Sequence, residues 1–194
     1  MTSRTLVDFY LDPACPWAWR TSRWIREVAR VRPVEIRWKC LSLEEINRAR
    51  GTLRDSHQAS RAPFRTLVLS RRKGGEAAAE RFYAALGAAR HERRHDLGDP
   101  GTVKAALVEA GLSDTLYDEA LADPTTEREY LAEHTEVVER GGFGVPTLVL
   151  DGGPPIFGPV IGPVPHGEAA GALYDHVAGL SRIPTFFELK RNRT

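Results

Sequence analysis

A strand, a turn, a helix and a second strand follow one another between Thr5 and Cys40, and no other stretch constrains the possible folds as tightly. Leu6, Val7, Phe9, Tyr10 and Leu11 form a short, mostly apolar run that reads as a strand. An Asp12-Pro13 turn follows, and Pro16 suits the first position of a helix, where its missing N–H costs nothing. Trp17, Thr21, Trp24, Ile25, Val28 and Ala29 recur at three- and four-residue spacing, giving that helix one buried stripe. Pro33 ends it. Val34, Ile36, Trp38 and Cys40 then alternate with Glu35, Arg37 and Lys39, the pattern of a half-buried strand. This is a β-α-β unit, which begins a sheet with a crossover helix.

From about Ser42 to Arg140 the pattern is helical almost throughout. Helices are predicted over 42–50, 57–73, 76–94, 100–111, 113–122 and 125–140, separated by Gly74-Gly75, Gly98 to Gly101, Gly111 and Pro124. Strand character returns at Thr147 to Leu150, then the turn Asp151-Gly152-Gly153, with Pro155 to Val160 as the hairpin partner. A last helix is expected over Gly167 to Ser181. The order predicts an α/β, thioredoxin-like fold whose β-α-β and β-β-α halves (1–41 and 141–194) are separated by an all-helical lid domain (42–140). A chain of 194 residues that is 42% hydrophobic can bury such a core, which excludes disorder and disulfide-stapled mini-proteins.

Lys plus Arg total 27 against 26 Asp plus Glu, a net charge of +1, so nothing in the charge balance points to nucleic acid or membrane. No apolar run approaches the ~20 residues of a membrane span. The opening MTSRTLVDFYLD is broken by acids, unlike a signal peptide, so a cytoplasmic protein is expected. Cys15 and Cys40 lack Cys-x-x-Cys or metal-ligand spacing and are expected to be thiols rather than a disulfide.

The chemistry centres on Asp12-Pro13-Ala14-Cys15-Pro16-Trp17-Ala18-Trp19, where Cys15 sits at the hand-over from strand to helix. N–H groups at a helix start favour an anion and acidify a thiol, although a small packed residue in a turn is the competing reading. A second segment, Gly141-Gly142-Phe143-Gly144-Val145-Pro146-Thr147, sets Pro146 directly before a strand, where a cis bond fits. In thioredoxin folds a cis-proline loop lies opposite the reactive cysteine and its backbone holds the incoming sulfur compound. An ordinary Gly-Pro turn is the bland alternative.

With these segments together, the chain resembles the DsbA-like thiol–disulfide oxidoreductases, and within them the mycothiol-dependent nitroreductase branch. The resemblance rests on Val7-Asp8-Phe9, Asp12-Pro13, Cys15-Pro16-Trp17, Trp19, Ser22-Arg23-Trp24-Ile25, Gly144-Val145-Pro146-Thr147, Phe157-Gly158-Pro159-Val160 and Phe186-Phe187-Glu188-Leu189-Lys190-Arg191. The helical middle matches only loosely. The resemblance implies a cytosolic enzyme served by a low-molecular-weight thiol (mycothiol, or glutathione in its place), with Cys15 as the attacking sulfur and Pro146 in cis. Its partners would be that thiol and a small-molecule substrate, with no nucleic acid, membrane or metal, in a monomer or homodimer.

The family pattern Cys-Pro-Trp-Cys reads Cys15-Pro16-Trp17-Ala18 here. Ala18 cannot attack a mixed disulfide, so Cys15 alone cannot complete dithiol exchange. A monothiol route resolved by an external thiol, a thiol-dependent isomerase or ring-opening reaction, a lapsed enzyme kept as a binding protein, and an engineered Ala18 all fit that change. Cys40 alternates onto a buried strand face and is read as packing.

Trp17 is expected to be a partly exposed stacking surface for an aromatic substrate, whereas Trp24 is read as core. Trp19 is read both as core and as a flank of the binding site. Asn47 matches a pocket asparagine of the nitroreductase branch, with plain surface as the alternative. In relatives with such an insertion a long helix closes over the cysteine. Arg90 and His91, with Arg93 and Arg94, would then meet carboxylates of a thiol or substrate. A solvated basic helix end is the rival reading. His91-Glu92-Arg93-Arg94-His95 also matches H-E-x-x-H, but Gly101 stands where a third histidine would be needed, so no zinc site is expected.

Overall fold

The computed structural model describes residues 4–53 and 55–192. The β-α-β unit is β1 (Thr5–Leu11), α1 (Pro16–Val31) and β2 (Val34–Cys40). Helices α2 (Leu43–Ala49), α3 (Asp55–Gln58), α4 (Arg61–His91), α5 (Pro100–Glu109), α6 (Thr115–Ala122) and α7 (Pro124–Glu139) follow. The chain then forms β3 (Thr147–Leu150), β4 (Ile156–Phe157) and α8 (Gly167–Ser181). The sheet order is β2-β1-β3-β4. β1 runs parallel to β2, with Thr5 opposite Val34, as a helical crossover requires, and antiparallel to β3, with Val7 opposite Leu150.

Alternation in β2 buries Trp38 and Cys40, and Thr21, Trp24, Ile25 and Val28 of the expected α1 stripe are buried, whereas Trp17 is half-buried and Ala29, at the far end of the helix, is exposed. Trp24 donates its indole N–H to Ala170 O at 3.1 Å, tying α1 to α8. β2 is an edge strand, and the helical segment covers it. Glu76 accepts the Trp38 N–H at 3.0 Å, Arg71 donates to Trp38 O at 2.7 Å, and Glu133 accepts the Cys40 N–H at 2.9 Å. Side chains thus occupy backbone groups that would otherwise recruit a further strand.

The largest departures from the predicted boundaries are at β4 and α4. β4 is two residues long rather than spanning 155–160, because Pro159 lacks an N–H for the ladder. The helix expected at 57–73 is divided: its first residues end α3, and the rest, from Arg61, joins the helix expected at 76–94 as the two arms of α4, broken at Gly75 (φ 70, ψ −172), a conformation open essentially to glycine alone. The second arm stops at His91, because Arg94 takes a left-handed conformation (φ 63).

The break reverses the chain. Thirty-one helical residues without it would extend about 46 Å, at ~1.5 Å per residue. Instead Ser60, the N-cap of α4, and His91, its last residue, reach neighbouring residues of one turn: the Ser60 hydroxyl donates to Asp12 Oδ1 at 2.5 Å, and His91 Nε2 lies 2.9 Å from Pro13 O.

Candidate functional site

That turn carries Cys15. The Cys15 N–H donates to Asp12 O and the Ala14 N–H to Asp12 Oδ1, both at 2.9 Å, closing the chain through Asp12-Pro13-Ala14-Cys15. Asp12 is wholly buried, and its carboxylate also accepts the Leu43 N–H at 2.8 Å. Burial raises its pKa, opposed by the donors Ser60, Leu43 and Ala14. The carboxylate therefore joins the end of β1 to the starts of α2 and α4. Sequence reading took Asp12-Pro13 as a turn and missed this role; the short acid before a proline was the available signal.

Cys15 is the N-cap of α1 (φ −86, ψ 114), with Pro16 opening the helix as expected. Its Sγ lies 3.4 Å from the Ala18 N–H and 3.6 Å from Val145 O. The two contacts favour opposite forms: an N–H stabilises a thiolate, whereas a carbonyl accepts from S–H. The positive end of α1 adds to the first. The Val145–Pro146 peptide is cis; two bonds hold its loop, and a third ties α1 to the segment after β4 that packs beside it. The Gly158 N–H donates to Pro146 O at 2.8 Å, the Thr147 hydroxyl to Gly144 O at 2.7 Å, and the Thr21 hydroxyl of α1 to Pro159 O at 2.8 Å.

Around this contact, Pro16 is exposed and Trp17 half-buried, with the Arg20 guanidinium 5.0 Å above the indole. Ala18 is fully buried beneath Cys15. Phe143 and Phe157 stack at 5.1 Å beside the cis-proline loop and stay 52% and 39% exposed, an apolar surface to which sequence reading gave no role. The distance along the chain between the two rings concealed it. Cys40, by contrast, is 0% exposed and its thiol is pushed well up by burial and by Glu133, so it suits packing; neither cysteine is in a disulfide.

Three expected binding residues turn inward. Trp19 is not an open flank: it is buried between α1 and α4, edge-on to Tyr83 at 6.0 Å and stacked on His91 at 6.2 Å. Gly87 makes room for it, since a Cβ there would stand 2.2 Å from the ring. Asn47 donates to Leu43 O at 2.6 Å and accepts from the Thr52 hydroxyl at 2.9 Å, so its amide serves the end of α2. His91 reaches Pro13 rather than solvent, while Arg90 stays half-buried and donates to its neighbour His95 O at 3.3 Å. His95 lies past the end of α4, so the two imidazoles of H-E-x-x-H share no helix face. Among the described residues no His, Cys, Asp and Glu group could hold a metal.

Burial lowers the pKa of both His91 and His134, and His134 Nδ1 accepts the Ser42 N–H at 3.3 Å, which only a neutral ring can do. Both histidines bind protons more readily when unfolded, so stability is full above the unfolded pKa near ~6.5 and falls below it. The melting temperature is therefore expected to drop as pH goes from 7.5 to 5.5. The decline should be shallower in His134→Gln; equal slopes in thermal unfolding would contradict this.

Two surface clefts lie elsewhere. One of about 430 Å³ is lined by Leu150, Asp151, Pro154 and Pro184, and one of about 250 Å³ by Thr5, Arg32 and Tyr174. Both sit toward the end of the sheet away from Cys15, since Thr5 begins β1, Val7 opposite Leu150 lies in its first half, and Cys15 follows its end.

No helix among the described residues is long and apolar enough to cross a membrane. The chain is 40% identical over 199 residues to Rv2286c of Mycobacterium tuberculosis, described as uncharacterized, covering 98% of this chain and 83% of that protein. The fold matches 2-hydroxychromene-2-carboxylate isomerase with a TM-score of 0.65 at 17% identity, over 92% of this chain and 95% of that one. It also matches the cytosolic disulfide reductase DsbM from Pseudomonas aeruginosa, solved with GSH, with a TM-score of 0.61 at 14% identity, over 90% and 100%. At these identities the structures establish the shared fold, which is DsbA-like and thioredoxin-based. Residues 14–191 match the Rv2466c-like family, described by the mycothiol-dependent nitroreductase Rv2466c, and with nearly the whole described chain inside that match, this protein belongs to it.

Proposed function

We propose that the protein is a monothiol, thiol-dependent oxidoreductase or transferase in which Cys15 is the nucleophile and a low-molecular-weight thiol, mycothiol before glutathione, is the co-reactant. The observation that carries this reading is Cys15 Sγ at the N-cap of α1, 3.4 Å from the Ala18 N–H and 3.6 Å from Val145 O of the cis-proline loop. The Cys15 thiolate attacks one sulfur of a disulfide, forms a mixed disulfide and expels the other half as a thiolate, which takes a proton. With buried Ala18 in place of a second thiol, a free thiol attacks the bound half and restores Cys15. Trp17 and the Phe143–Phe157 pair are the aromatic surfaces for a small aromatic substrate, which lies between Trp17 and the helical lid of residues 42–140. Arg90 at the end of α4 is the cation for a carboxylate of the thiol. A reducing cytoplasm is the compartment in which such a thiol is regenerated.

The test is intact-mass analysis after incubation with the disulfides of mycothiol, glutathione and coenzyme A. A single adduct on Cys15 and none on Cys40 is expected. No adduct from any of them overturns the reading. The missing sulfur at position 18 equally suits an isomerase, in which the thiol is regenerated within each turnover; thiol consumption per product separates the two.

A further inference from the structure

We propose that His91 is a positioning residue for Cys15, holding the Asp12–Cys15 turn from the far end of α4. This rests on the reading of Cys15 as the nucleophile. The imidazole touches both sides of the cysteine. Before it, Nε2 lies 2.9 Å from Pro13 O, and a carbonyl acceptor places the ring proton on Nε2. After it, the ring stacks on Trp19, whose N–H donates to Cys15 O at 3.1 Å in the first turn of α1.

The bond matters because of what else in the turn is already fixed. The Pro13 ring locks its own φ, and Asp12 is held by Leu43, Ser60 and its Oδ1 bond to the Ala14 N–H. Pro13 ψ and Ala14 φ rotate the one peptide that Asp12 Oδ1 holds by its N–H, and His91 grips the opposite, oxygen end of that plane. That rotation moves Cys15 relative to both the Ala18 N–H and Val145 O, and the balance of those two contacts sets how far Sγ favours the thiolate. Gly87 and Tyr83 fix the plane of Trp19, and through it the ring of His91. Ser60 and His91 are thus a two-point grip on one turn, delivered by the fold-back at Gly75.

The experiment measures the rate of Cys15 alkylation by iodoacetamide against pH, with melting temperature alongside, in wild type, His91→Phe, His91→Gln and Cys15→Ser. His91→Phe keeps an aromatic ring against Trp19 and removes the donor. It is expected to shift the pH midpoint and lower the plateau rate about ten-fold or more, the scale on which misplacement of a reacting group is felt. His91→Gln, which retains an N–H of similar reach, should recover part of both. If His91→Phe melts below the assay temperature, His91→Asn, polar but too short to reach Pro13, takes its place with the same expectation. An unchanged midpoint and plateau in a folded donor-less variant overturns the role of His91 alone. Wild type labelled no faster than Cys15→Ser overturns the nucleophile assignment and this one with it.

Discussion

Cys15→Ser is expected to lose thiol exchange by about 10³-fold or more while folding normally, because a serine hydroxyl is almost never ionised near neutral pH and a thiolate is the attacking species. The substitution is unusually clean here. Cys15 caps α1 by accepting from the Ala18 N–H, and serine is among the best residues at that position, so the helix start keeps or improves its cap. A melting temperature equal to or above that of wild type, with no mixed disulfide by mass, is the expected pair of results. Activity that survived in Cys15→Ser would remove the sulfur from the mechanism altogether.

Glu133→Ala carries the largest expected cost in stability. The carboxylate is only 7% exposed and holds three donors: Arg71 at 2.6 Å, Lys39 at 3.2 Å and the Cys40 N–H at 2.9 Å. Removing it strands two cations against a low-dielectric interior, unpairs a buried amide of β2 and frees the edge of the sheet. Breaking a buried pair from one side costs about 3–5 kcal/mol, and Glu129, 2.9 Å from Arg71, offsets a part of that. Denaturant unfolding reads the loss, and a cost under ~1 kcal/mol would mean that Arg71 finds full compensation in Glu129. Glu133→Gln should fall between, since an amide oxygen still accepts from Cys40 but no longer balances two charges.

Much of this architecture was legible because the signals were local. Alternation from Val34 to Cys40, the stripe on α1 and Pro16 beside Cys15 each determine structure within a few residues, and the structure follows them. Gly74-Gly75 was legible as a break, but not as a reversal, since direction depends on what the arms meet. The end of α4 was hidden for a specific reason: the left-handed position that glycine usually fills is taken by Arg94, so no glycine marked the stop. Asn47 and His91 were placed near the pocket by the family resemblance, and Trp19 was read as core or flank; none of these readings named a partner. In the fold Asn47 bonds Leu43 and Thr52, and for Trp19 and His91 the partners are distant in the chain: Gly87 is 68 positions after Trp19, and Pro13 lies 78 before His91. Phe143 and Phe157 escaped for the same reason: one lies in the loop before β3 and the other in β4, and they meet only when β3 and β4 pair.

The fold-back of α4 makes the lengths of its arms a matched quantity. Adding or deleting one residue in either arm turns the terminal side chain by about 100° and displaces it by ~1.5 Å. Either change would carry Ser60 or His91 off the turn it grips. Insertions that spare the cysteine should therefore be tolerated near Gly111 or Gly152, and should silence it from as far away as Glu80.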